Sequence, residues 1–444
     1  MKSYAARRAA LLKQMHAKGG GVAVIPTAPE VARNRDSDYP YRHDSYFYYL
    51  SGFAEPEAVI VLVAGKTDQS ILFCREKNLE REIWDGYRYG PEAARETFGF
   101  DAAYPIAALD AEIPKLLADA SALFCALGNS PKLDAQLQSW LQSVRMQARA
   151  GVVAPSTMHD VNVLLDEMRL FKDAEEVAIM QRAASISSAA HRRAMQMAKP
   201  GLREYHLEAE LLHEFRRNGS QFPAYGSIVA TGANACVLHY RAGDTELKDG
   251  DLVLIDAGCE LDSYASDITR TFPANGKFSG PQKALYEVVL AAQQAAIEVT
   301  RPGKRFIDGH DAAVRALAQG MLDTGLLDKN KVGSLDDVIE KGVYRQFYMH
   351  RTGHWLGMDV HDVGDYREAA VLADGERQWR TLQPGMVLTI EPGIYVRPEP
   401  GVPEQFWNIG IRIEDDALVT DDGCALLTHE APKTVADIEA LMKE

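Results

Sequence analysis

Cysteine is scarce in this 444-residue chain, and no two of its five cysteines form a CxxC pair. Cys74, Cys125, Cys236, Cys259 and Cys424 are scattered and odd in number. That argues against a disulfide framework, leaves no thiolate pair for a metal, and suits a reducing cytoplasm. Long apolar runs are missing too. The longest, Ala58 to Ala64, has the length of a strand and falls far short of the ~20 residues that cross a bilayer. Positive charge is in deficit: 48 Lys and Arg stand against 63 Asp and Glu, a net charge of −15. Nucleic acids and anionic membranes both need clustered cations, so neither is an expected partner. The start, MKSYAARRAALLKQMHAKGGG, is basic but has no uninterrupted apolar segment and no cleavage site, and it reads as a surface helix instead of a signal peptide. What is present is ordinary for a globular protein, 46% hydrophobic and 25% charged residues, with length enough for two or more cores.

The first ~165 residues alternate short β-like runs with helical stretches. Val22 to Pro26, Ala58 to Val63 and Ser70 to Cys74 read as strands; Asp101 to Leu117 and Pro131 to Met146 read as helices. The tyrosine-rich YRHDSYFYYLSGF around residues 41–53 reads as a strand and turn packing a core. Asp173 and Glu176 then have capping-box spacing and open a helical stretch that runs to Lys199 and stops at Pro200-Gly201. The pattern therefore predicts an N-terminal domain over 1–168 and a second over 169–444.

The second region contains a hidden repeat. GDLVLIDAG (residues 250–258) matches GMVLTIEPG (residues 385–393) at an offset of 135, with a glycine, then an acid, then a glycine at the same places. Each acid-bearing strand is followed by a second, carrying Asp267 in the first half and Glu414 in the second. Two related strand pairs with helices between them predict a pseudo-symmetric α/β domain closing around a shared site. Four acids, Asp256, Asp267, Glu391 and Glu414, then fall on central strands. Buried carboxylates in a group repel one another and tolerate burial only beside strong positive charge. Arg412, on the strand of Glu414, is one guanidinium against four acids. Divalent cations supply the rest, and hard cations prefer oxygen ligands.

A fifth ligand is expected in HRTGHWLGMDVHD, where His350, His354 and His361 fall within twelve residues punctuated by glycine. His239 is a weaker candidate by itself. Four carboxylates and one imidazole exceed a tetrahedral zinc site and match two bridged metals, an arrangement that lowers the pKa of a shared water to about 7 and clamps a carbonyl oxygen. Ligand hardness favours manganese over zinc, with cobalt and iron as alternatives.

These residues resemble the signature of the proline-specific pita-bread metallopeptidases, and the segment Arg42 to Phe53 is similar to the N-terminal domain of the aminopeptidase P branch. The resemblance covers nearly the whole chain. It implies a pita-bread catalytic domain with a smaller α/β N-terminal companion, and a dinuclear manganese exopeptidase that releases the residue ahead of a proline in second position by attack of a metal-bridging hydroxide. By the family's pattern Asp256 would hold one metal, His354 and Glu391 the other, and Asp267 and Glu414 both. His239 and His361 would contact the substrate, His350 would line the pocket, Glu391 would move a proton, and Arg412 would support the site by pairing with an acid. The family also implies a homo-oligomer, a tetramer or dimer. The stretch Asp365 to Arg380 is longer than the family's pattern leads one to expect and reads as a surface excursion able to reach the pocket rim. Prolidase, which cuts only dipeptides, shares the ligands and remains the alternative. Methionine aminopeptidases lack the proline-type histidine segment, creatinase-like hydrolases lack the ligand set, and a non-catalytic scaffold has no use for four mutually repelling acids.

Overall fold

In the computed structural model, which describes residues 2–241, 243–372 and 375–443, the chain divides into two compact units, Met1–Met168 and Arg169–Glu444. In the first unit the apolar runs form strands, Gly21–Pro26, Val59–Ala64 and Gln69–Cys74. They belong to a six-stranded mixed sheet ordered Ala102–Pro105, Gln69–Cys74, Val59–Ala64, Gly21–Pro26, Ala122–Cys125, Thr157–Asp160. Strand alternation turns Val22, Val24, Val61 and Ile71 toward the helices Leu109–Leu117 and Pro131–Arg145, which bury Ile113, Leu117, Leu137 and Trp140 in the same core.

Three local expectations change here. Asp101 to Leu117 is not one helix: Ala102–Pro105 pairs in parallel with Gln69–Cys74, and only Leu109–Leu117 is α-helical. Pro105 disfavours helical backbone in the residue before it, which leaves that segment extended. The tyrosine-rich segment contains a helix, Ser45–Ser51, where a strand was expected. Asp44 caps it by accepting from the Phe47 N–H at 2.9 Å, and Gly52 closes it in left-handed backbone (φ 65°). These end signals outweigh the β preference of Tyr and Phe, while Phe47, Tyr49 and Leu50 still pack inside. The basic opening helix, Lys2–Ala17, is more than a surface element. It buries Leu11, Leu12 and Met15, and the buried Arg8 guanidinium donates to the carbonyls of Leu50, Phe98 and Gly99.

In the second unit the helix opened by the Asp173/Glu176 capping box runs Ala174–Met197. The repeat appears as two antiparallel pairs, Leu252–Asp256 with Thr269–Pro273 and Val387–Ile390 with Asp415–Val419. Between the two strands of each lies a further pair, Cys259–Leu261 with Tyr264–Ala265 and Gly393–Val396 with Ile409–Arg412. The interval between the halves is mainly the helices Gly280–Val299 and Phe306–Asp323, whose apolar faces join the shared core.

The acids sit at strand ends, not within central strands. Asp256 is the last residue of its strand and Glu391 follows Ile390, while Asp267 and Glu414 lie just ahead of Thr269 and Asp415. The ladder stops there, so donors from adjoining loops become free to meet a carboxylate. Arg412 likewise ends Ile409–Arg412 and does not share a strand with Glu414.

A seam joins the two halves. Glu414 N–H donates to Thr269 O at 3.1 Å, and Thr271 Oγ1 donates to Arg412 O at 3.0 Å. Arg270, fully buried, donates to Glu414 O (2.6 Å), Ala431 O (3.0 Å) and Asp415 Oδ1 (2.7 Å). Removing one partner of a buried ion pair costs about 3 kcal/mol or more, whereas an exposed pair contributes about 0–1 kcal/mol. Arg270→Gln is therefore expected to lower the melting temperature by at least about 5 °C. Arg315→Gln, which breaks the exposed pair with Asp336, should leave it nearly unchanged. Equal shifts in scanning calorimetry would contradict this role for the seam.

Candidate metal centre

The seam brings the acid-bearing strand ends of both halves into one cluster. Asp267 Oδ2 lies 3.3 Å from His354 Nε2, and ligand atoms of Asp267, His354 and Glu414 all fall within 4.8 Å of one another. Asp256 joins through the Tyr225 hydroxyl, which is 2.6 Å from Asp256 Oδ1 and 2.5 Å from Asp267 Oδ1. Glu391 Oε1 is 3.9 Å from His354 Nε2. The cluster lines a cavity of about 840 Å³ that His239, His350, His361 and Arg412 also line, so the residues singled out in the sequence all meet in one place.

Two close backbone approaches make this geometry. A Cβ at Gly258 would lie 1.7 Å from Ser266 O, and one at Gly353 would lie 2.0 Å from Thr389 O, so neither position has room for a side chain. The second approach seats His354 against the strand Val387–Ile390: its N–H donates to Thr389 Oγ1 (3.2 Å), and Thr389 N–H donates to its carbonyl (2.9 Å). His354 Nδ1 is 2.8 Å from Trp355 O. A carbonyl only accepts, so Nδ1 carries a proton and Nε2 is turned to the acids. Further along the same loop, Asp362 is buried between Arg169 (2.7 Å) and Lys172 (3.0 Å), which fixes the backbone next to His361. The His361 ring stands 4.1 Å from that of His354.

Burial dominates the electrostatics. It pushes Glu414 well above the ordinary carboxylate range, with Asp267, Glu391 and Asp256 adding repulsion. It raises Glu391 to about 7 against the pull of His354 and Arg412. It raises Asp256 too, although Arg412 Nη2 sits 2.6 Å from Asp256 Oδ2. Asp267 is the exception: burial opposes its ionisation, but the hydrogen bond and charge of His354 hold its carboxyl below the usual range. Burial also works against a charged His354, yet Asp267 and Glu391 overcome it and lift the imidazole to about 9. The polypeptide by itself thus offsets the crowded negative charge by holding protons. Oxygen donors around a single imidazole suit a divalent cation, and the residues present fit one.

Arg412 reaches further than its pairing with Asp256. Its Nη1 donates to the Tyr395 hydroxyl at 2.9 Å, and that hydroxyl is 2.9 Å from His350 Nε2. His350 Nδ1 donates to Arg351 O at 2.7 Å, so Nε2 is an acceptor and the ring is neutral. Burial, then Arg412, push its pKa down to about 3.

Several residues here escaped the sequence reading: Tyr225, Tyr395, Thr269 (which donates to Glu414 Oε2 at 2.7 Å), and the pair Arg169 and Lys172. None lies in a repeated or histidine-bearing motif, and only the fold brings them in. The excursion at 365–380 is a hairpin, Arg367–Val371 with Arg377–Trp379, and Tyr366, Arg367 and Trp379 line the cavity. Ala373 and Asp374 in that stretch lie outside the described residues.

Residues 178–421 match the model of Metallopeptidase family M24. The chain belongs to family M24. Residues 4–124 match the Aminopeptidase P, N-terminal domain. Over 438 residues this M24 chain is 44% identical to the Xaa-Pro aminopeptidase of Escherichia coli strain K12, a match spanning 98% of this chain and 96% of that relative. The structure of Pseudomonas aeruginosa aminopeptidase PepP superposes with a TM-score of 0.95 at 50% identity, covering 100% of this chain and 98% of the other. E. coli aminopeptidase P in complex with substrate gives 0.94 at 44% identity, with the same coverage. The M24 region, with its two related strand systems, has the pita-bread fold.

The proton-holding cluster has a consequence for stability. Folding raises Glu391 from 4.5 to about 7 and His354 from 6.5 to about 9, so the native state binds more protons than the unfolded one. Stability then falls as pH rises between about 7 and 9; below about 6.5 the buried neutral histidines, His350 held at about 3 and His310 at about 4 among them, act in the opposite sense, and Asp267, held low, titrates below that window. Chelator-treated protein is expected to melt at progressively lower temperature across this range, and protein resupplied with divalent ions to show a flatter profile. Parallel profiles for the two forms would mean that cations do not substitute for these protons.

Proposed function

We propose that this M24 protein releases the N-terminal residue from peptides with proline in second position. The observation that carries the reading is the cluster of four carboxylates and His354 in a cavity of about 840 Å³, a volume suited to the end of a peptide. Similarity along nearly the full length to Xaa-Pro aminopeptidases supports this over a prolidase. In this reading 1–168 is the aminopeptidase P-type domain and 169–444 the catalytic domain.

Asp256, Asp267, His354, Glu391 and Glu414 would hold a pair of divalent ions, Asp267 and Glu414 serving both, Asp256 one, His354 and Glu391 the other. The oxygen-rich donor set favours manganese. When bound, such a pair supplies Lewis acidity and brings the pKa of water to about 7. The chain's own residues do the rest. Glu391, on the cavity wall, would take up and return a proton. His239 and His361 on the cavity wall contact the substrate around the scissile bond. His350, locked to Tyr395, shapes the pocket, and Arg412 steadies Asp256. A proline nitrogen carries no hydrogen, so the Xaa-Pro bond needs no acceptor at that point.

The homo-oligomer belongs to the same reading. The helix Leu79–Asp85 buries none of its residues, and Ile83 and Trp84 are 81% and 82% exposed, with Leu79 and Tyr87 also exposed. An apolar cluster of this kind marks an interaction surface. Light scattering should give a multiple of the 49.0 kDa chain mass that falls on joint Ile83→Ser and Trp84→Ser substitution; a monomeric native protein would reject the assembly. The five free cysteines, four of them buried, support a cytoplasmic setting, which cell fractionation checks: recovery outside the cytoplasm would refute it.

The central test is hydrolysis of Ala-Pro-Ala, Ala-Ala-Ala and Ala-Pro after chelation and after return of manganese. Only Ala-Pro-Ala should be cut rapidly, chelation should stop it and manganese restore it, and Asp267→Ala or Glu414→Ala should abolish it. Activity confined to Ala-Pro would assign a prolidase. Absence of stoichiometric divalent ions together with no cleavage would leave a scaffold.

A further inference from the structure

The cavity has a second charged region that the proposed reaction does not use. Besides Arg412 it is lined by Arg241, Arg351 and Arg367. Arg241 donates to Gly226 O and Arg367 to Arg377 O, and among the described residues none of the three is paired with a carboxylate. Asp267 and Glu414 are buried and Asp256 and Glu391 half-buried, whereas Arg241 and Arg351 are exposed and Arg367 is half-buried, so Arg241 and Arg351 lie on the solvent side of the cavity. In a chain of net charge −15, unpaired guanidiniums gathered there call for a reason.

Two of them are held in place. The Arg367 guanidinium carbon lies 3.6 Å from the centre of the Trp379 ring, and that of Arg351 lies 5.3 Å from it. Trp379 stacks at 26° on Phe306, which packs in turn on Tyr366 and on the fully buried Trp355. This aromatic column roots the hairpin in the residue next to His354. A guanidinium over an indole face keeps its N–H edge free for an anion, and the stacking limits the conformations it must give up on binding.

We infer that Arg351 and Arg367, steadied by Trp379, form a specificity subsite for a carboxylate downstream of the proline, either the terminus of a short peptide or an acidic side chain. The inference rests on the aminopeptidase reading, because a peptide whose N-terminal end is held at the acid cluster extends from there toward the arginines. An extended residue spans about 3.5 Å, so a cavity of this size takes a few residues before the chain reaches solvent.

The test uses the metal-loaded full-length enzyme on Ala-Pro-Ala as free acid and as C-terminal amide, and on Ala-Pro-Ala-Glu-Ala and Ala-Pro-Ala-Gln-Ala, both as amides. For at least one pair the charged member should have a kcat/KM about tenfold higher, equal to 1.4 kcal/mol and expressed in KM. The preference should shrink at high salt, since exposed charges are screened. Arg367→Gln and Arg351→Gln should each bring the ratio toward unity and leave hydrolysis of the uncharged member within about twofold. A preference in the first pair alone assigns the subsite to the chain terminus; one in the second pair alone assigns it to a side chain. Equal rates within both pairs, or a preference that survives both substitutions, overturns the inference and leaves the peptidase standing. Failure to cleave any of the four sinks the peptidase reading and the subsite with it.

Discussion

Four carboxylates crowded into one buried place repel each other, and the second unit is built around tolerating that repulsion. Arg412 answers only one of them directly, through Asp256. The others are met by hydroxyl donors, Tyr225 and Thr269, and by the imidazolium of His354 beside Asp267. A hydroxyl has one proton, so Tyr225 donates to Asp256 or Asp267 at any moment but not to both. The remaining imbalance appears as raised carboxyl pKa values, and a donor set of this kind recruits cations because they relieve the same strain more completely than protons do.

Holding such a cluster together requires a seam that does not yield. Arg270 provides it: a fully buried cation, set behind the acids, that binds Asp415 and the carbonyl of Glu414 itself. Two cationic roles are thus divided between two arginines. Arg412 faces the cavity and holds Asp256 and Tyr395, while Arg270 faces away from the chemistry and ties the halves along the strand ends. Gly258 and Gly353 then bring neighbouring backbones close enough for the acids and His354 to converge.

Much of this was legible in the chain because it is repeated or conspicuous. The GDLVLIDAG and GMVLTIEPG pair announced two equivalent acid-bearing strands, and three histidines in a glycine-punctuated stretch announced a segment close to them. The Asp173/Glu176 capping box announced its helix in the same direct way. What stayed hidden depends on partners distant in sequence. Tyr225 is a lone tyrosine between Ala224 and Gly226, and only pairing of its neighbour strand Ile228–Thr231 with Leu252–Asp256 turns it to the acids. The helix at Ser45–Ser51 was missed for the opposite reason, because aromatic composition spoke louder than the local caps Asp44 and Gly52. Asp101 to Leu117 was misread because its first residues pair with a strand thirty residues away.

The hairpin at 365–380 completes the electrostatic logic. A pocket carrying only acids would hold any cationic group and would discriminate by amine alone. Arginines on the solvent side add an anion-binding end to the cavity, so that a short peptide held by its N-terminal end and carrying a downstream carboxylate is met at both ends. Direction of entry is then set by the charges before any contact at the scissile bond is made, and the aromatic column from Trp355 to Trp379 keeps the two ends at a fixed separation. Fixed separation turns two weak, partly exposed attractions into a length-dependent choice, because a ligand that spans them pays the cost of ordering once for both contacts.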